Sequence, residues 1–146
     1  MGLFGIGNAI DLDLLRNTSL FAGFSDGELK RVAKLAKRRD AEVGETIIEQ
    51  GRFGDACFVI SEGVAAVYIN DVFATTVSAS TAIGEMAILE RRPRNASVVA
   101  ETPMVLAEFG VEDFRKVLAE FPTTEAEVKE LLHARLHENR RKDTAE

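Results

Sequence analysis

A chain of 146 residues, 46% hydrophobic and 29% charged, is long enough to bury one core and too mixed in composition to be disordered or fibrous. Its net charge of −6 argues against sequence-blind binding to nucleic acid or an anionic membrane, and its apolar runs are too short to span a bilayer. The opening MGLFGIGNAIDLD lacks a basic n-region, and Ile6 stands where a myristoylation signal needs Ser or Thr. Neither a secretory leader nor a lipid anchor is expected, and the expected location is cytoplasmic.

The first elements read as helices. Ile10 and Leu14 suggest a short helix ending near Arg16 and Asn17. Ser25 and Glu28 then form an S-x-x-E capping box ahead of Leu29, Val32, Ala33 and Ala36 at helical spacing. That helix is expected to reach about Lys37, with Lys34, Lys37 and Arg38 complementing its dipole.

From residue 38 to residue 110 the period changes. This stretch is rich in Val, Ile, Thr and Phe and is punctuated by Gly44, Gly51, Gly54 and Gly63. CFVISEGVAAVYIND holds two short strands hinged at Glu62-Gly63, the second closed by an Asn70-Asp71 turn. TIIEQ, VFATTVS, NASVVAE and MVLAEF supply further strands. Short strands at regular spacing suggest a small barrel or jelly roll. The lone Cys57 lies in ACFVI and reads as a buried packing thiol of a reducing compartment.

The tail, residues 111–142, is helical again. Phe114, Val117, Leu118 and Phe121 fall at i, i+3, i+4 and i+7, and Pro122 is expected to end that helix. Thr124 and Glu127 suggest a second capping box, followed by Val128, Leu131, Leu132, Arg135 and Leu136 on one side and by Arg140, Arg141 and Lys142. The expected class is therefore α+β: a small antiparallel β-barrel of jelly-roll type, flanked by N-terminal helices (1–37) and two C-terminal helices (111–142), in one domain over 1–146.

Within the strand region, IGEMAILERRPRNASVV places one carboxylate, Glu85, among apolar neighbours, with Arg91, Arg92 and Arg94 close behind. Together with the glycine framework VGETIIEQGRFGDACFVISEGV over residues 43–64, the segments GEMAIL (84–89) and PRNASV (93–98) resemble the cyclic nucleotide-binding domain family. That family includes the catabolite activator protein, the regulatory subunit of protein kinase A and cyclic nucleotide-gated channels. The resemblance runs from about Leu20 to Leu136, and its phosphate-binding cassette corresponds to residues 83–98.

The resemblance implies a ligand with one phosphodiester charge, a ribose hydroxyl and a base. Gly84 would let the backbone approach the phosphate, Arg94 would hold its exocyclic oxygens, and Glu85 would accept the ribose 2′-OH. The Ala87 and Ala96 N–H groups would donate, with Ile83, Met86 and Asn95 completing the contact set. Without ligand, Glu85 would pair with Arg94 or another cation. Val67, Ala74 and Val77 are candidates for the base pocket, and Leu131, Leu132 or Arg135 for a lid over the base. Ile88 reads equally as a moving apolar plug or as ordinary core, whereas Arg91 and Arg92 read as solvated loop charges.

The ligand implied is cyclic AMP ahead of cyclic GMP, since the cassette length is kinase-like and no hydroxyl follows Arg94. No other cofactor and no metal is expected. The barrel contains no histidine for a cupin-like metal, and His133 and His137 are expected to lie on an exposed helical face. No nucleophile has a base at plausible spacing, so catalysis is not expected. Catabolite activator-type regulators carry a helix-turn-helix after the long helix, and the residues up to Glu146 leave no room for one. The expected output is an effector protein or self-association through the C-terminal helix. A degenerate domain serving as a protein scaffold is the competing reading, and Glu85 and Arg94 together argue against it.

Overall fold

The computed structural model describes residues 11–144, with side chains through Glu138. Ile10 and the side chains of Arg140, Arg141 and Lys142 lie outside the described set. The N-terminal layer comprises α1 (Leu12–Arg16), a 3-10 turn (Ser19–Phe21) and α2 (Asp26–Ala33). The capping box forms as the sequence predicts: Ser25 Oγ accepts from the Glu28 N–H at 3.2 Å, and the Glu28 carboxylate accepts from the Ser25 N–H at 2.8 Å.

That helix stops earlier than expected. Lys34 is its C-cap, and Lys37 and Arg38 open a strand instead. The reason is a five-residue antiparallel ladder with a strand far down the chain, which pairs the inward-facing backbone groups of this charged stretch.

The strands form two four-stranded antiparallel sheets. One has the order β1 (Lys37–Ala41), β8 (Met104–Gly110), β3 (Ala56–Glu62), β6 (Ala82–Ile83); the other has the order β2 (Thr46–Ile48), β7 (Ser97–Ala100), β4 (Ala65–Ile69), β5 (Val72–Val77). The jelly-roll architecture is as expected, but the two sheets do not join into a closed barrel. The Asn70-Asp71 turn links β4 to β5 with φ of 52° and 65°, the left-handed pair a two-residue hairpin turn requires. Gln50 pins it, donating to Asn70 Oδ1 and accepting from the Asn70 N–H, both at 2.8 Å.

Alternation along β3 and β8 sets the two cores. Phe58, Ile60, Met104 and Leu106 face the space between the sheets, where they meet Ile47, Ile48, Ala65, Ile83 and Val98. Cys57, Val59, Val105, Ala107 and Phe109 face the other way and pack under the helices. There Phe109, Phe21 and Phe114 stack with centroids 6.0–6.2 Å apart. Each such aromatic pair adds about 0.5–1.5 kcal/mol beyond its buried area.

The C-terminal layer consists of α4 (Val111–Leu118) and α5 (Pro122–Thr144), and the cassette contributes α3 (Met86–Leu89). Phe121 falls outside α4, and Pro122 begins the next helix rather than merely ending the last one. Proline suits that first position because its missing N–H would have no partner there. The second capping box does not form. Thr124 is inside α5, buried, and its hydroxyl donates to Glu28 Oε2 at 2.7 Å, tying α5 to α2. No helix among the described residues is long and apolar enough to cross a membrane.

Candidate functional site

Three pieces of chain meet around a cavity of about 230 Å³: residues 82–87 leading into α3, residues 90–98 leading into β7, and Leu136 on α5. The first piece turns at Gly84, whose φ of 74° is in the left-handed region. A Cβ there would sit 2.8 Å from Arg94 Nη1 and 3.1 Å from Ile48 Cδ1, so the position demands glycine on both counts. The turn sets Glu85 as the N-cap of α3 and brings Gly84, Glu85, Met86 and Ala87 to the cavity wall. The first turn of a helix leaves amide N–H groups without partners in the helix itself, which makes this wall a donor surface. The Ala87 N–H reaches Gly84 O only at a long 3.4 Å.

The second piece is extended. The Arg94 N–H donates to Arg52 O and the Gly51 N–H to Arg94 O, both at 2.8 Å, and Pro93 bridges Phe53. Extended backbone sends alternate side chains to opposite sides. Arg92 and Arg94 both line the cavity, whereas Arg91 turns outward over the Phe53 ring at 5.7 Å. The reading of Arg91 as a loop charge holds; Arg92 is exposed as well but also lines the cavity, because Pro93 disfavours helical backbone at the residue before it and keeps it in phase with Arg94.

Arg94 is half-buried, with its guanidinium fork donating to Gly84 O at 3.0 Å and to Ala56 O. Burial pushes it below its ordinary pKa, with Asp55 and Glu85 among the charges opposing that shift. Guanidinium remains charged under such a shift. The neighbouring Cys57 thiol is pushed up to about 12, first by burial and then by the Glu85 charge, and is therefore protonated and inert near neutrality.

Glu85 does not pair with Arg94. Arg135 of α5 donates to Glu85 Oε1 at 2.8 Å and through its other Nη to Ser19 Oγ on the 3-10 turn. The two charged side chains are only 16% and 28% exposed, so breaking the pair by removing one partner would strand a partly buried charge. Arg135 is thus the counter-ion of the carboxylate in this structure.

Other predicted residues scatter. Ile83, Asn95, Ala96 and Val67 line the cavity with Glu85 and Arg94. Ala74 is exposed beside the bulge in the β4–β5 ladder, and Val77 packs against the inter-sheet core; neither is on the cavity wall. Ile88 is 4% exposed within the helix-side core. Leu132 is fully buried there, and Leu131 packs against the same core, facing the 3-10 turn. The α5 residue that does reach the cavity is Leu136, one turn beyond Leu132; Ile48, Val98 and Glu90 also line it without having been singled out.

A larger opening of about 480 Å³ lies between the sheets, lined by Arg39, Arg52 and Arg94 but equally by Glu49, Asp55 and Glu108. It has none of the α3 amides, so it lacks the donor wall of the smaller cavity. Around the smaller cavity Arg92 and Arg94 stand against Glu85 and Glu90, and Arg135, outside the lining, engages Glu85. A wall with two arginines, a helix start and a carboxylate acceptor suits a small monoanion that also carries a hydroxyl.

Residues 38–121 match the cyclic nucleotide-binding domain family, and the chain belongs to it. It is 35% identical over 107 residues to the cAMP-dependent protein kinase type II regulatory subunit of Drosophila melanogaster, covering 73% of this chain and 28% of that one. The chain thus spans little more than a quarter of the length of that relative. Two solved structures share its fold. The regulatory domain of Toxoplasma gondii PKA in co-crystals with cAMP superposes with a TM-score of 0.75 at 22% identity, over 87% of this chain and 48% of that one. The N-terminal domain of a transcriptional regulator from Streptomyces coelicolor gives 0.73 at 25% identity, over 92% and 94%.

Proposed function

We propose that this chain acts as one cyclic nucleotide-responsive regulatory module. It takes cyclic AMP ahead of cyclic GMP in the cavity between α3, β7 and α5. The observation that carries the reading is that Arg94 and Glu85, nine residues apart on a cassette folded at Gly84, face one cavity. Arg94 takes the phosphate oxygens, the α3 amides and the Ala96 N–H add donors, and Glu85 accepts the ribose 2′-OH. Val67, Ile48 and Val98 give the base an apolar seat. The co-crystallised cAMP of the Toxoplasma relative supports the choice of base.

The cavity, about 230 Å³, falls short of the roughly 300–1,000 Å³ of small-molecule sites. Ligand entry therefore displaces Leu136, and engagement of Glu85 by a ribose competes with its bond to Arg135. Ligand thereby favours a second arrangement of α5 by binding it more tightly. The output is non-catalytic: an effector protein, or a second copy met through α5, in a cytoplasmic setting. Calorimetric titration with cyclic AMP and cyclic GMP tests the reading. Micromolar or tighter binding of cyclic AMP is expected, and absence of heat with both ligands would leave the protein-scaffold reading in its place.

A further inference from the structure

Arg92 has no part in the ligand contacts assigned so far, yet it lines the cavity beside Arg94. Its position follows from backbone geometry. Residues 92–94 run extended against Gly51–Phe53, held by the two 2.8 Å backbone bonds and the Pro93–Phe53 bridge, so side chains 92 and 94 leave on one side. Its ion pairing is incomplete. Arg92 Nε lies 2.9 Å from Glu90 Oε1, close enough to feel the charge, but this buried oxygen receives no hydrogen bond. A buried acceptor with no aligned donor is unfavourable. The Glu90–Arg92 contact is therefore a poor resting place that a better anion can take over. The Arg92 side chain remains 48% exposed.

We infer that Arg92 is a second phosphate-side cation and a determinant of affinity for the cyclic phosphodiester. It turns from Glu90 toward the ligand when the site fills, while Arg94 stays on its Gly84 and Ala56 carbonyls. The inference rests on the proposed cyclic nucleotide site and adds to it a residue that reads the ligand's charge. It gives the carboxylate at the cassette tip a role: Glu90 screens Arg92 until a ligand anion takes its place.

Titration of the 146-residue chain with cyclic AMP, in wild type, Arg92→Gln and Arg92→Lys over a series of salt concentrations, tests this. Arg92→Gln is expected to weaken binding about tenfold and to flatten its salt dependence, with the thermal midpoint unchanged. Arg92→Lys, which keeps the charge, is expected within about threefold of wild type. Equal affinity for Arg92→Gln and wild type overturns the inference. So does a loss in Arg92→Lys as large as that in Arg92→Gln, because the charge would then be irrelevant. Wild type that binds neither cyclic nucleotide overturns the site itself, a separate and recognisable result.

Discussion

The Glu85 carboxylate accepts from the Arg135 guanidinium at 2.8 Å across fifty residues of sequence, joining the cassette to α5. A hydrogen bond to a charged group contributes about 1.5–3 kcal/mol, so a ribose that uses the same carboxylate loosens α5 by a comparable amount. Wild type is expected to bind 2′-deoxy cyclic AMP at least tenfold more weakly than cyclic AMP, whereas Glu85→Ala should bind the two alike. Paired titrations measure this, and a persistent preference in Glu85→Ala would remove the assigned ribose contact.

Arg94 is held by two carbonyls before any ligand arrives. Arg94→Ala is expected to cost about 2–5 kcal/mol of binding, since it strands the buried anion. Gly54 guards the same guanidinium: a Cβ there would overlap the fork. Gly54→Ala is accordingly expected to weaken cyclic AMP binding by forcing Arg94 from its seat, read by the same calorimetry.

Leu132 and Leu136, one turn apart on α5, separate core from cavity wall. Leu132 is fully buried, so Leu132→Ala is expected to destabilise the fold by about 2–5 kcal/mol in urea denaturation. Leu136 is only half-buried and reaches the cavity. Leu136→Ala is expected to leave stability within about 1 kcal/mol and to change the rates of ligand entry and release in stopped-flow fluorescence.

Glu28 links pH to stability. The Ser25 N–H, then the Thr124 hydroxyl, hold its carboxyl below the ordinary value of 4.5. A lowered folded-state pKa means the unfolded chain takes up the proton first as pH falls. The contribution is therefore present above about 4.5 and vanishes as pH drops through the folded value. The carboxylate is open to solvent, so its size stays within about 1 kcal/mol. Urea denaturation of wild type and Glu28→Gln is expected to differ near neutrality and to converge in acid; a constant gap would exclude the charge as its source.

The elements most readable in the sequence were those whose own residues carry the signal. The Ser25 capping box, the Asn70-Asp71 turn and the cassette turn at Gly84 are local and appear where expected. β1 was hidden because four of its five residues are charged, and only the ladder with β8 makes it a strand. β6 has two residues, too few for any period. At the site, Leu136 was available as the i+4 neighbour of Leu132 on the cassette side of α5. Arg92 was available from the alternation around Pro93. The Arg135–Glu85 pairing was not, because a contact over fifty residues leaves no trace in local spacing.

Most residues of β3 and β8 are buried on both faces, one against the helices and one against the facing sheet. A slip by a single residue would exchange the Cys57 row for the Phe58 row and wreck both cores at once. These strands therefore behave as a stiff keel. A rearrangement of α4 and α5 of the kind proposed would run above that deck, carrying a disturbance at the cassette sideways through the helices while the space between the sheets stays still.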